Sequence, residues 1–257
     1  MAAVKLSVVI ITRNESRNIT RCITSVAGLA DEILVVDSES TDNTVELAEA
    51  LGARVVVQPF LGYVEQKNFA LQQARFDHVL SLDADEALSP ELYASIAIVK
   101  EHWTRDAWAF NRLNNYCGQW IRHSGWYPDR KIRLLDRKKG YWGGTNPHDT
   151  IVLEKGIPVG KLSGDLLHYS YQSVQEHVEK THKYAEIMAK AMAEAQKKAG
   201  LVKLLLNPPF TFAKKYFFQL GFLDGYYGWV ICKLTAYYTF LKYLRLREIH
   251  RQKKSAD

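Results

Sequence analysis

The chain has 257 residues, 47% of them hydrophobic, a net charge of +6 and three cysteines. That apolar content argues against a disordered chain and for one large domain or a domain with an appendage. Cys22, Cys117 and Cys232 are far apart and odd in number, which argues against a disulfide framework and fits a reducing compartment. No charged-then-apolar secretory signal fits before Leu6. The charge is lopsided: residues 201–257 hold ten Lys or Arg against three acids, and 13 of the 30 aromatic residues. The first 200 residues are near neutral, so nucleic-acid binding is disfavoured. A basic, aromatic tail points instead to an anionic partner with an apolar side, a membrane surface.

In chain order, the apolar, β-branched run at 6–11 (LSVVII) predicts a strand buried on both faces. Ile19, Cys22, Ile23 and Val26 follow at helical spacing, with Gly28 as the stop. Residues 32–36 predict a second buried strand. Thr41 or Asp42 caps a short helix that ends at Gly52, and residues 53–57 form a third strand. A helix over 63–74 and a strand over 78–82 come next, and then Ser89-Pro90 opens another helix. Strands alternating with helices imply a parallel, doubly wound sheet. Residues 103–168, rich in Trp, Tyr, Gly and Arg, read as short strands and loops in an antiparallel extension carrying the second half of a cleft. Ser173 and Glu176 form a capping box for a helix that ends at Gly200. Asn207-Pro208-Pro209 reads as a break before an aromatic, basic helical segment reaching about Arg251. Asp224 and Lys233 interrupt its best apolar window. It is therefore expected to lie on a membrane rather than cross it, or else to pack on the protein's own core.

Ligands of such sheets bind beyond the carboxyl ends of the strands. Three polar clusters fall there: Thr12-Arg13-Asn14-Glu15, Asp37-Ser38-Glu39-Ser40 and Asp83-Ala84-Asp85. An Asp-x-Asp pair after a buried strand suits a hard divalent cation shared with substrate phosphates, where its bland alternative is a solvated turn before the Ser89 helix. Glu86 reads as a neighbour of that helix, not a ligand. Neither a G-x-G-x-x-G nor a G-x-x-x-x-G-K-[ST] run is present, which disfavours dinucleotide dehydrogenases and P-loop enzymes.

The segments LSVVIITRNESRNITRCITSV, EILVVDSESTDNT and LSLDADE together resemble the family 2 glycosyltransferases. PFLGYVEQKNFAL, DRKIRLLDR, GGTNPHDTI, LLHYSYQS and GFLDGYYG are similar to the subgroup of bacterial lipopolysaccharide inner-core β-glucosyltransferases. The resemblance implies a GT-A fold, an α/β Rossmann-like sheet with helices on both faces. This catalytic domain would fill residues 1–172, with a helical, membrane-associating extension over 173–257. It implies inverting transfer of a hexose, usually glucose, from a UDP-sugar with Mg²⁺ or Mn²⁺. The acceptor would be a lipid-anchored saccharide at the cytoplasmic face of the inner membrane.

Residue by residue, the resemblance puts Thr12, Arg13, Asn14 and Glu15 in the nucleotide pocket, Asp37 on uracil or ribose, and Gln66 and Lys67 near the nucleotide. Asp85 would be the principal metal ligand, with Asp83 on ribose or a metal-bound water and His168 a further ligand. An inverting transfer needs a base for the acceptor hydroxyl. Asp149 is the candidate, although relatives more often carry Glu there, and Asp129 is the second choice. The bland alternative for Asp149 is a turn residue after Pro147. His148 also stands out, while His177 and His182 read as surface residues. Arg130, Lys131, Arg133 and Arg137 would meet an anionic acceptor or form a solvated strand edge. Trp126 and Trp142 would stack on sugars or pack in the core. Two rivals remain: the same fold glycosylating a peptide or another polysaccharide precursor, and a non-catalytic nucleotide-binding scaffold.

Overall fold

The computed structural model describes residues 3–145 and 148–256. Its first 101 residues alternate as expected: β1 (Leu6–Thr12), α1 (Ile19–Val26), β2 (Glu32–Asp37), α2 (Thr44–Ala50), β3 (Arg54–Val57), α3 (Tyr63–Gln73), β4 (His78–Asp83), β5 (Glu86–Leu88) and α4 (Pro90–Glu101). β1 lies between β2 and β4, parallel to both, and β3 extends the parallel set beyond β2. The continuous apolar run of β1 follows from its burial on both faces. Val8 and Ile10 face one core with α1 and α4, while Val9 faces the other with α3. Ser89 Oγ accepts from Leu92 N at 3.2 Å and caps α4, with Pro90 in the first turn.

The antiparallel extension supplies β6 (Ala107–Tyr116), β7 (Gln119–Ile121), β8 (Asp129–Asp136) and β11 (Val159–Tyr171). The sheet runs β3-β2-β1-β4-β8-β6-β11-β5, with β7 hairpinned onto β6. β9 (Gly140–Thr145) and β10 (His148–Leu153) form a separate two-stranded ribbon. This mixed α/β sheet with helices on both faces is the GT-A architecture.

The chain divides into two compact units inside β6 and β11. One comprises residues 1–113 and 129–168, the other residues 114–128 and 169–257. The second is built on α5 (Val174–Glu194), α6 (Leu201–Ala213) and α7 (Gly225–Ala256). Ser173 caps α5 as expected, its Oγ accepting from Glu176 N, while Glu176 Oε2 reaches back one residue further than a capping box does and accepts from Gln172 N.

Two expectations fail in this unit. α6 runs through Pro208 and Pro209, and the chain turns instead at Leu220, in the left-handed region, and at Gly225. Proline's fixed φ is compatible with a helix, so the pair removes two backbone donors and crowds the preceding turn without ending the helix. His177 is buried, not on the surface. Its Nδ1 lies 3.0 Å from Tyr116 Oη, and its ring packs on Tyr171 and Trp126. Trp126 therefore belongs to an aromatic core. No helix among the described residues is long and apolar enough to cross a membrane.

Candidate active site

Sheet register brings the three polar clusters together. Thr12 is paired with Asp37 across β1–β2, and Ile11 with Asp83 across β1–β4. The loop after β1 is pinned to the loop after β2. Asn14 takes φ 54°, its N donates to Ser40 Oγ at 2.8 Å, and its Oδ1 accepts from Thr41 N at 2.8 Å. Glu15 accepts from Asn18 Nδ2 at 2.7 Å, while Arg13 is exposed. Asp37 is buried and takes its bonds from the Ser40 amide and hydroxyl. Gln66 is buried and donates to Ser38 Oγ and the Gln58 carbonyl. Thr12, Arg13, Asn14, Glu15, Asp37 and Gln66 thus share one rim, within which Asp37 and Gln66 brace the loops.

Across β4 the carboxylates separate into different environments. Asp83 Oδ2 accepts from Arg133 Nη2 at 3.0 Å, and Lys67 Nζ lies 2.9 Å from Oδ1. Burial alone would raise the Asp83 carboxyl, but Lys67 and then Arg133 reverse this and hold it well below the usual carboxylate range. Asp85 Oδ2 lies 3.2 Å from His168 Nε2. The β5–β11 pairing makes this contact, because it sets His168 opposite Glu86, next in sequence to Asp85.

Glu86 differs from the expectation of a bland helix neighbour. It is 1% exposed, accepts the Asp83 amide at 3.0 Å, and faces Arg133 at 3.2 Å and Arg112 at 3.6 Å. It fixes the backbone of the Asp-x-Asp turn and shares the buried Arg133 with Asp83. Arg133, 3% exposed, is therefore no solvated strand edge. Arg137 is structural too, bonded to Asp77 and to the Leu71 and Gln72 carbonyls.

The β9–β10 ribbon brings Asp149 to Lys67, with Oδ2 2.7 Å from Nζ. Asn68, which nothing in the sequence singled out, ties the ribbon to α3 by reciprocal bonds with the Trp142 backbone at 2.7 and 2.9 Å. Trp142 is buried over Lys67 and Arg133, its ring centre 4.4 and 4.9 Å from their charges, so it covers cations and presents no open platform to a sugar. Asp129, the second candidate base, is held by Arg112 and Lys131 at 2.9 and 3.0 Å. The side chain of His148 lies outside the described residues. Beside Lys67, Asp83 and Asp149 opens a cavity of about 630 Å³ that extends over β8, β6 and the start of β11.

A divalent ion fits part of this donor set. A carboxylate oxygen and an imidazole nitrogen 3.2 Å apart match neighbouring positions around a small octahedral ion with bonds of ~2.1 Å. Among the described residues no group of three or more His, Cys, Asp or Glu side chains converges on one point, so most of the shell would come from substrate and water.

The profile of glycosyl transferase family 2 matches residues 7–157. An uncharacterized glycosyltransferase of Rickettsia typhi is 36% identical over 95% of this chain and 87% of its own. A lipopolysaccharide core biosynthesis glycosyltransferase of Rhizobium meliloti is 30% identical over 95% of this chain and 93% of its own. Among solved structures, the glucosyl-3-phosphoglycerate synthase of Mycobacterium tuberculosis with Mn²⁺, UDP and glucosyl-3-phosphoglycerate is 29% identical over 44% of each chain at a TM-score of 0.34, too partial a likeness to bear on this chain's ligands. Strand-end carboxylates on a GT-A sheet and a family profile spanning more than half the chain agree: the protein is a glycosyltransferase of family 2.

Proposed function

We propose that the protein transfers a hexose, glucose foremost, from a UDP-sugar with inversion to a lipid-linked saccharide, the inner core of lipopolysaccharide. The observation that carries this reading is the convergence of Asp83, Lys67 and Asp149 at one strand edge, two residues from Asp85 and beside loops able to seat a nucleoside. Asp85 and His168 would hold Mg²⁺ or Mn²⁺, which supplies positive charge to the leaving diphosphate. Lys67 adds a fixed cation at the same point. Asp149 takes the proton of the attacking hydroxyl, and its bond to Lys67 holds it oriented until an acceptor arrives. Arg133 and Glu86 hold the Asp83 carboxylate and backbone in place.

The Rhizobium relative's name and the second unit's surface support this choice of acceptor. Between residues 201 and 229 twelve large apolar side chains are exposed, among them Phe210 at 68% and Phe218 at 82%. Lys203 and Lys214 lie exposed among them, and the one acid in that stretch, Asp224, is buried. Such a face suits an anionic bilayer surface, which supports a working position on the cytoplasmic side of the inner membrane, where nucleotide sugars are available.

The test is a donor screen by thermal shift and slow hydrolysis with UDP-glucose, UDP-galactose and UDP-N-acetylglucosamine, with and without Mn²⁺. UDP-glucose should stabilise the protein in a Mn²⁺-dependent way, and Asp85→Ala should abolish that dependence. Failure to bind or hydrolyse any UDP-sugar would sink the proposal.

A further inference from the structure

The β9–β10 ribbon stands outside the main sheet, yet it carries Asp149. Paired residues share a face and faces alternate along a strand, so Trp142 and Gly144 of β9 face the same way as Ile151 and Asp149 of β10. Trp142 and Ile151 enter the core cluster that holds Ala70, Leu71 and Ala74 beside α3, and Asp149 reaches Lys67. Apolar burial holds the ribbon down but is non-directional, so it does not fix where the ribbon lies along α3.

Directional ties come from two consecutive residues of α3. Lys67 takes Asp149 on β10, and Asn68 takes Trp142 on β9. These ties are not equivalent. The lysine ammonium sits on a flexible four-carbon stem and follows the carboxylate as it moves. The Asn68 amide is short and planar, donating to the Trp142 carbonyl at 2.7 Å and accepting from its N–H at 2.9 Å. Two bonds to one residue resist both sliding and tilting. Backbone alternation makes Trp142 available for them. Glu154 N donates to the Lys139 carbonyl at 3.0 Å, so the hydrogen-bonded pairs of the ladder fall on the odd-numbered residues before the turn. Trp142 therefore turns its N–H and C=O away from β10, and the Asn68 side chain meets them as a third strand would.

We infer that Asn68 is a positioning residue for the general base: its grip on the Trp142 backbone sets where Asp149 stands relative to the attacking hydroxyl. It acts through the ribbon and not by touching substrate. In the proposed transfer Lys67 also serves the leaving diphosphate, so the tie that stays constant is the one from Asn68. The kinetic consequence rests on the glycosyl-transfer reading, but the placement of Asp149 does not. An Asn68 that only satisfied a buried backbone pair would affect stability alone.

The test compares the full chain with its Asn68→Ala variant, well below the melting transition of both. In UDP-glucose hydrolysis with Mn²⁺, where water is the acceptor, kcat should fall by about 10²-fold, the loss a ~1 Å misplacement can cause, while KM and UDP affinity stay within about twofold of the parent. Labelling by a water-soluble carbodiimide, read by mass spectrometry, should quicken at Asp149, 13% exposed in its pair with Lys67. It should not quicken at Asp77, which pairs with Arg137 and Lys138 away from the ribbon. An unchanged kcat, a donor KM that rises in step with the loss of kcat, or quickened labelling of both carboxylates would overturn the inference, the last by showing a general loosening of the domain. Should Asn68→Ala not fold, Asn68→Asp keeps the bond from the Trp142 amide, loses the one to its carbonyl, and gives the same direction. A parent that hydrolyses no UDP-glucose would fell the transfer reading. The labelling then decides the placement of Asp149 by itself, and an unchanged rate there overturns it.

Discussion

At the residue scale the acidic turn is a division of labour that charge counting does not reveal. Asp83, Asp85 and Glu86 are alike in sequence, yet each has its own set of partners: Lys67 and Arg133, His168, and the Asp83 amide with the shared Arg133 and Arg112. Glu86→Gln removes the charge from a fully buried position and leaves Arg133 under-compensated. The expected cost is about 2–4 kcal/mol, read as a lowered denaturation midpoint. A midpoint equal to the parent's would restore the bland reading of Glu86. Asp149→Asn keeps shape and loses basicity, so turnover should fall by about 10²–10⁴-fold with UDP affinity retained. Equal losses of donor affinity and turnover would instead assign Asp149 to donor binding. The place of Asp85 beside the sheet edge was legible because it closely follows a buried strand. The role of Glu86 was not, because its partner Arg133 arrives 47 residues later on β8.

At the element scale the segment GFLDGYYG (residues 221–228) is a joint, not a lipid-facing surface throughout. The Asp224 carboxylate accepts from Arg122 N, His123 N and Ser124 Oγ, which ties the start of α7 to the stretch after β7. A Cβ at Gly228 would lie 1.9 Å from the Gly221 carbonyl, whereas one at Gly200 would meet nothing within 4 Å. Gly228→Ala should therefore lower the thermal midpoint markedly, by an amount equivalent to about 2 kcal/mol or more, while Gly200→Ala should be near neutral. Equal midpoints for the two would remove the close-approach argument. The basic, aromatic tail also divides on inspection. On α7, Val230, Ile231, Cys232 and Leu246 are buried in core clusters or beside them, while the apolar side chains of α6 and the turns after it stand open. Phe210→Ser with Phe218→Ser should release the protein from vesicles rich in phosphatidylglycerol in a co-sedimentation assay, leaving donor binding intact. Retention of the double variant on those vesicles would move the docking surface elsewhere. Composition located the tail, but only helix packing separates its buried aromatics from its exposed ones.

At the scale of the whole molecule, local pattern carried the sheet and distant contact carried the exceptions. The run of β1 and the Ser89-Pro90 cap are decided within a few residues, so they were readable. His177 is decided by Tyr116, 61 positions earlier, and by Tyr171, so no window around it reveals its burial. That burial has a consequence for stability in acid. Removal from water, aided by Lys180, lowers the His177 pKa to about 4 against an unfolded value near 6.5. The unfolded chain binds the proton first, so this residue contributes its stability in full above about pH 6.5 and loses it as pH falls toward 4. The amount at stake is on the order of 3 kcal/mol. His177→Gln keeps a polar partner for Tyr116 without a titrating ring. The thermal midpoint of the parent should therefore exceed that of the variant by more at pH 7 than at pH 5, with the gap closing steadily between pH 6.5 and 4. A gap that stays constant across that range would mean that His177 is protonated no more readily in the unfolded chain than in the fold.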